Sequence, residues 1–211
     1  MWAHWKLHQV ATGNRKILFV DQFTKWVEAK ALSTITAKDT ADAFFELIIS
    51  RHGCPKYLHS DQGVQFESVL FADVCKIFGI QKSRSTAYHP EGNGMAERQV
   101  RNIKTKLKTL ILGNNQEWDK NLNKALLTTR LTFSATTGYS PAYLMYGREL
   151  VTPSSVISYN LNKTVTNPHV YAEKLSNEMK SVIKKAKENI ESAQTRQSYY
   201  YNQNNVKDKQ K

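Results

Sequence analysis

The chain has 211 residues, 40% of them hydrophobic and 10% aromatic, which is enough for a packed core and excludes wholesale disorder. A net charge of +12 favours a polyanionic partner, nucleic acid first, although a generally basic surface explains it about equally well. No apolar run reaches bilayer length and Met1–Val10 has no apolar signal core, so the expectation is an intracellular protein, nuclear or cytoplasmic, with no membrane attachment.

Met1–Thr12 shows no clear period. Lys16–Asp21 and Lys25–Leu32 predict two strands joined by a turn at Gln22–Thr24. Thr36 is placed to cap a helix running to about His52, stopped by Gly53 and kept from restarting by Pro55. A short strand at Lys56–His59 leads into the turn-forming Ser60-Asp61-Gln62-Gly63. A helix over Ser68–Phe78, a strand over Ile80–Ser85 and a Gly/Pro-rich loop over Thr86–Gly94 follow. Helices are predicted over Met95–Leu112, with the stripe Val100, Ile103, Leu107, Leu110 and Ile111, and over Glu117–Leu131. Alternating strands and helices predict an α/β domain. From Pro168 to about Tyr201 runs a charged helical pattern of weak apolar periodicity, which reads as poorly anchored. Cys54 and Cys75 lie outside any CxxC pattern and read as reduced, semi-buried thiols. His52 and Cys54 lack the second ligand pair that a zinc site needs.

Two acids stand where metal-dependent phosphoryl transfer would use them. Asp61 follows a strand directly, at the sheet edge where ligands gather in α/β folds. Glu97 falls in the first turn of the helix after the loop. Carboxylates converging from separate elements can hold Mg²⁺ ions that activate a nucleophile and stabilise a leaving oxygen. Taken singly, Asp61 is better read as a turn former and Glu97 as an ordinary N-terminal helix acid.

Their surroundings change that balance. The chain reads His59-Ser60-Asp61-Gln62-Gly63-Val64-Gln65-Phe66, then Tyr88-His89-Pro90-Glu91-Gly92-Asn93-Gly94-Met95-Ala96-Glu97-Arg98, with 35 residues between Asp61 and Glu97. This resembles the second and third limbs of the D,D-35-E signature of retroviral-type integrase catalytic cores. The phrases VDQFTKWVEA (Val20–Ala29) and TTGYSPAYLMYGRE (Thr136–Glu149) look like the Ty3/gypsy branch of long-terminal-repeat retrotransposons. The resemblance implies an RNase H-like mixed sheet of five strands flanked by helices, and DNA integration by cutting and joining phosphodiesters with Mg²⁺ or Mn²⁺. It further implies element ends and target DNA as partners, a homo-oligomeric state, Asp61 and Glu97 as the metal-holding catalytic residues, and Asn93 beside the reactive DNA end. The corresponding organisation is a divergent segment at residues 1–12, an integrase-like core at 13–153, a polar linker at 154–167 and a basic helical linker and tail at 168–211.

The pattern breaks at its first limb. The family's first catalytic Asp lies on the opening strand and is usually followed by Gly-Pro, whereas Met1–Thr12 contains no Asp, Glu or Gly-Pro. The opening strand is therefore expected to be missing or replaced, metal binding weakened and catalysis absent or nearly so. Asp21 is a tempting substitute, but by motif it belongs to the second strand and to a turn with Thr24. His8 is the remaining candidate ligand nearby, and Mg²⁺ disfavours imidazole. The family's upstream zinc module and downstream β-barrel or chromodomain are not matched in this chain either. A domesticated, non-catalytic nucleic-acid- or protein-binding module is the alternative, and a badly packed remnant a third possibility.

On the helix after the loop, Glu97, Arg101, Lys104 and Lys108 fall at i, i+4, i+7 and i+11, one stripe away from the apolar face. With the resemblance, Arg101, Lys104 and Lys108, flanked by Arg98, are expected to contact DNA phosphates; without it they are a solvated face. Lys82 and Arg84 are weaker candidates, and Trp26 and Trp118 read as core or interface aromatics.

Overall fold

The computed structural model describes residues 4–10, 16–84, 94–111, 118–152 and 167–208; for 4–10, 94–97, 168 and 204–208 it describes the backbone alone. The chain divides into two compact units, Met1–Arg130 and Leu131–Lys211.

The first unit is built on one five-stranded sheet of strands β1 (His4–Val10), β2 (Lys16–Asp21), β3 (Val27–Ala31), β4 (Tyr57–Ser60) and β5 (Gln81–Arg84), in the order β3-β2-β1-β4-β5. Strands β1, β4 and β5 are parallel, while β2 runs antiparallel to both β1 and β3. The opening strand expected to be missing or replaced is thus present, and it is the central one, pairing with β2 on one side and β4 on the other. Replacement holds only for its sequence, HWKLHQV, which carries no acid.

Every residue of β2 is buried, as expected of a strand covered on both faces. Alternation sends Leu18 and Val20 to one side, where they join Val27 and Ala29 of β3 and pack against helices α3 (Gly94–Leu110) and α4 (Trp118–Leu131) through Val100, Ile103, Leu107, Leu122, Ala125 and Leu126. Ile17 and Phe19 point to the other side, where Phe19 meets Phe44 at 5.8 Å between ring centroids and Phe44 meets Phe71 at 5.7 Å. Phe44 belongs to α1 (Ala37–Phe44), which continues through a π-helical segment, Phe45–Ile49, into a last turn, Ser50–His52. Thr36 caps α1 in a reciprocal box with Asp39, and Gly53 ends it at φ 80°. Phe71 lies on α2 (Val69–Ile77), capped by Ser68. Cys75 is buried there and Cys54 is exposed, so the two thiols are not alike.

In the second unit, Ser140 caps the short helix α5 (Pro141–Tyr146). The long helix α6 (Pro168–Asp208) is better anchored than its sequence suggests. Val182, Ala186 and Ala193 are buried, and Asn189 Nδ2 donates to the Thr137 carbonyl at 3.0 Å. Gly147, the left-handed cap of α5, lies so close to α6 that a Cβ on it would stand 3.2 Å from both Leu175 Cδ1 and Met179 Sδ. Among the described residues, no helix is long and apolar enough to cross a membrane.

Candidate active site and nucleic-acid face

Asp61 directly follows Ser60, the last residue of β4 and itself fully buried. Its carboxylate is half-buried, and Oδ1 accepts a hydrogen bond from the Gly63 backbone N–H at 3.1 Å. A Cβ on Gly63 would sit 3.1 Å from that oxygen and closer still to the Gln65 side-chain nitrogen, so a larger residue there would have to displace the Gln65 amide. The turn thus holds one carboxylate at the end of a parallel strand, facing the C-terminal edge of the sheet.

The neighbouring strand can be read by register. His4, Trp5 and Lys6 of β1 align with Tyr57, Leu58 and His59 of β4, so the same register continued two residues sets His8 level with Asp61. On its other side His8 pairs with Leu18. The strand position beside Asp61 is therefore held by a histidine, and no residue of β1 supplies a carboxylate.

Asp21 is excluded as a stand-in. It lies opposite Trp5, at the far end of β2 from Asp61. Its Oδ2 accepts from the Thr24 backbone N–H at 2.7 Å and from the Thr24 hydroxyl at 2.6 Å, the turn role read from sequence.

Glu97 lies in the helical backbone of α3, which packs across β1 and β2. Its side chain, and Asn93 altogether, lie outside the described residues. Among the described residues, no group of three His, Cys, Asp or Glu side chains is placed to hold a metal ion. Asp61 offers a hard oxygen ligand of the kind Mg²⁺ and Mn²⁺ prefer, and β1 adds no acid beside it.

Arg98, Arg101 and Lys108 are exposed along α3, while Lys104 is half-buried. Lys16 opens β2 at the Asp61 end of the sheet, and its pKa is lowered by burial and then by the charge of Lys104. Lys82 and Arg84 on β5 instead engage Glu67, at 2.7 Å and 3.6 Å. The Lys82 hydrogen bond holds the Glu67 carboxyl below its ordinary value.

Sequence reasoning missed a buried carboxylate. Glu28, 3% exposed on edge strand β3, accepts from Trp26 Nε1 at 3.0 Å and from Arg130 Nη2 at 2.8 Å; His52 Nε2 lies at 3.1 Å and Arg51 at 3.3 Å. Arg130 also donates to the Val27 carbonyl through Nε and Nη2, closing an edge-strand acceptor, and covers the Trp26 ring at 4.4 Å. The alternation of apolar Val27 and Ala29 around Glu28 was the available signal.

Residues 9–90 match the integrase core domain family. An uncharacterized protein of Caenorhabditis elegans is 38% identical over 142 residues, 67% of this chain and 11% of that protein. The Pro-Pol polyprotein of simian foamy virus type 1 is 35% identical over 140 residues, 65% of this chain and 12% of the polyprotein. This chain thus spans roughly a tenth of the length of those relatives. Among solved structures, the HTLV-2 integrase catalytic core domain in complex with magnesium, in a trimeric form, superposes with a TM-score of 0.56 at 25% identity, covering 67% of this chain and 95% of that one. The catalytic core domain of BIV integrase gives 0.57 at 25% identity, covering 66% and 91%. The strand order and flanking helices are accordingly those of the RNase H-like integrase core.

Proposed function

We propose that this chain, which belongs to the integrase core domain family, binds DNA as the core of a Ty3/gypsy-like element and that its own phosphodiester joining is weak or absent. The branch reading rests on the phrases at Val20–Ala29 and Thr136–Glu149.

The observation that carries the proposal is the pairing of a positioned Asp61 with an acid-free central strand. Bound Mg²⁺ or Mn²⁺ would supply charge stabilisation for in-line displacement at phosphorus. Asp61 and Glu97 would hold the ion. Arg98, Arg101, Lys104 and Lys108 would bind backbone phosphates, with Asn93 beside the DNA end, and such contacts position DNA without reading its sequence. With no acid on β1, Asp61 and Glu97 alone would hold a divalent ion weakly, and catalysis would fail before binding does.

The test is a joining assay with an end-matched duplex in Mg²⁺ or Mn²⁺, run beside a DNA-binding titration. Salt-dependent binding with joining near background is the expected result. Robust joining abolished by Asp61→Asn or Glu97→Gln would show that the chemistry survives without the first acid, and absence of DNA binding would overturn the proposal altogether. The reading as a domesticated binding module draws on the same acid-free strand, and it predicts equal binding with and without divalent ion. Dimeric and trimeric forms are known for the HTLV-2 core, and we propose self-association for this chain by analogy.

A further inference from the structure

Lys16 is a cation in an unusual place. It opens β2, pairs with Val10 on one side and Ala31 on the other, and is 6% exposed. By alternation it shares the face of Leu18 and Val20, toward α3 and α4. Its Nζ lies 5.3 Å from the centroid of the Trp118 ring at the start of α4. Burial lowers its pKa, and the positive charge of Lys104 on α3 lowers it further. Among the described residues this ammonium faces an aromatic ring, is acted on by the charge of Lys104 and pairs with no carboxylate.

An aromatic ring recovers only part of the hydration that a buried ammonium gives up, and a like charge beside it makes the balance worse. Such a corner is stabilised by an anion. Its place in the sheet suggests which one. The β1 register puts Lys16 two residues beyond the level of Asp61 and two strands away, on the end of the sheet where a DNA strand engaged at Asp61 would run.

We propose that Lys16 and Lys104 form a phosphate-binding corner in which one backbone phosphodiester of bound DNA seats between the two ammonium groups, with the Trp118 indole as its apolar wall. The inference rests on the DNA-binding reading above and adds to it a contact from the sheet itself, next to the row on α3. Only binding is involved, and no bond is made or broken. Phosphate neutralises both cations at once, so the two lysines share one contact instead of making two.

That sharing gives the test. Binding of a fluorescent duplex is followed by anisotropy across a salt series for the wild type, Lys16→Met, Lys104→Gln and the double variant. One lost phosphate contact lowers the slope of log K against log salt by about 0.9, a loss of roughly eightfold in affinity at 0.1 M salt. Each single variant should show that change, and the double variant should show it once, not twice. Lys16→Met, which removes a buried cation, should also raise the Tm of the DNA-free protein, an effect opposite to that of losing a structural contact. An unchanged slope in Lys16→Met, or a double variant with twice the single loss, overturns the shared corner. Arg101→Gln separates the two readings, because its own slope change would persist if the corner alone were wrong. A wild-type chain that fails to bind duplex overturns both.

Discussion

Asp21 and Asp61 stand at opposite ends of the same sheet. Asp21 faces Trp5 across the antiparallel pair, and Trp5 is level with Leu58, three residues before Asp61. At ordinary strand spacings the two acids are about 10 Å apart along the strands and about 10 Å apart across them. They therefore fail differently when replaced. Asp21→Ala should cost about 1–3 kcal/mol, because both Thr24 donors lose a buried acceptor, and it should leave any Mg²⁺ response intact. Asp61→Asn should leave thermal stability almost unchanged and remove the Mg²⁺ response. Thermal melts with and without Mg²⁺ read both effects.

His8 is the position at which the missing acid can be restored. His8→Asp places a carboxylate level with Asp61 on the adjacent parallel strand. The variant should bind Mn²⁺ at least tenfold more tightly than the wild type by isothermal titration, and joining activity should rise with it. A variant that binds no better would show that the register does not bring the two positions to a common ion.

Glu28 links folding stability to acid. Burial pushes its carboxyl up, but the His52 hydrogen bond, Arg130, the Trp26 indole N–H and Arg51 together outweigh burial and leave it below its ordinary value. A depressed folded-state value means that the stabilisation is fully present above the unfolded value, near 4.3, and is lost as pH falls through the folded one. Glu28→Gln should therefore cost about 3 kcal/mol near neutral pH, where it leaves Arg130 and its partners uncompensated. The gap between the two proteins should close in acid. Chemical denaturation from pH 7 down to pH 3 checks the direction.

Gly147 tests the anchoring of the long helix. It combines φ 70° with close approach of Leu175 and Met179, so Gly147→Ala faces a strained backbone and a tight contact together. A loss of about 1–2 kcal/mol is expected, measured as a lower Tm together with faster amide exchange around Ala186.

The two thiols should separate by rate. Cys54 is exposed, while burial of Cys75 raises its thiol pKa, so a thiol reagent should label Cys54 quickly and Cys75 only on unfolding. Mass mapping of the labelled chain distinguishes them.

Much of the fold was legible because local signals were clean. Thr36 and Gly53 bracket α1, KILFVD forms a doubly covered strand, and the stripe of α3 buries Val100, Ile103 and Leu107. The opening strand was not legible. A central strand usually reads as a continuous apolar run, and Lys6, His8 and Gln9 interrupt this one. The anchoring of α6 was obscured because its buried line runs through small residues, Ala186 and Ala193, that add little to an apolar period. At the site, Asp61 and its turn were readable from the motif. Lys16 was not, because only pairing with Val10 and packing beneath α3 and α4 turn an ordinary strand-opening lysine into a buried cation.

The π-helical segment Phe45–Ile49 has an evolutionary corollary. Such a segment accommodates a residue that a regular α-helix would not hold, and removing one residue there would let the helix re-form with ordinary spacing. Each residue turns a regular α-helix by about 100°, so a loss elsewhere in α1 would swing Arg51 and His52 off the Glu28 carboxylate, whereas a loss within Phe45–Ile49 would be absorbed there and leave both at the sheet edge.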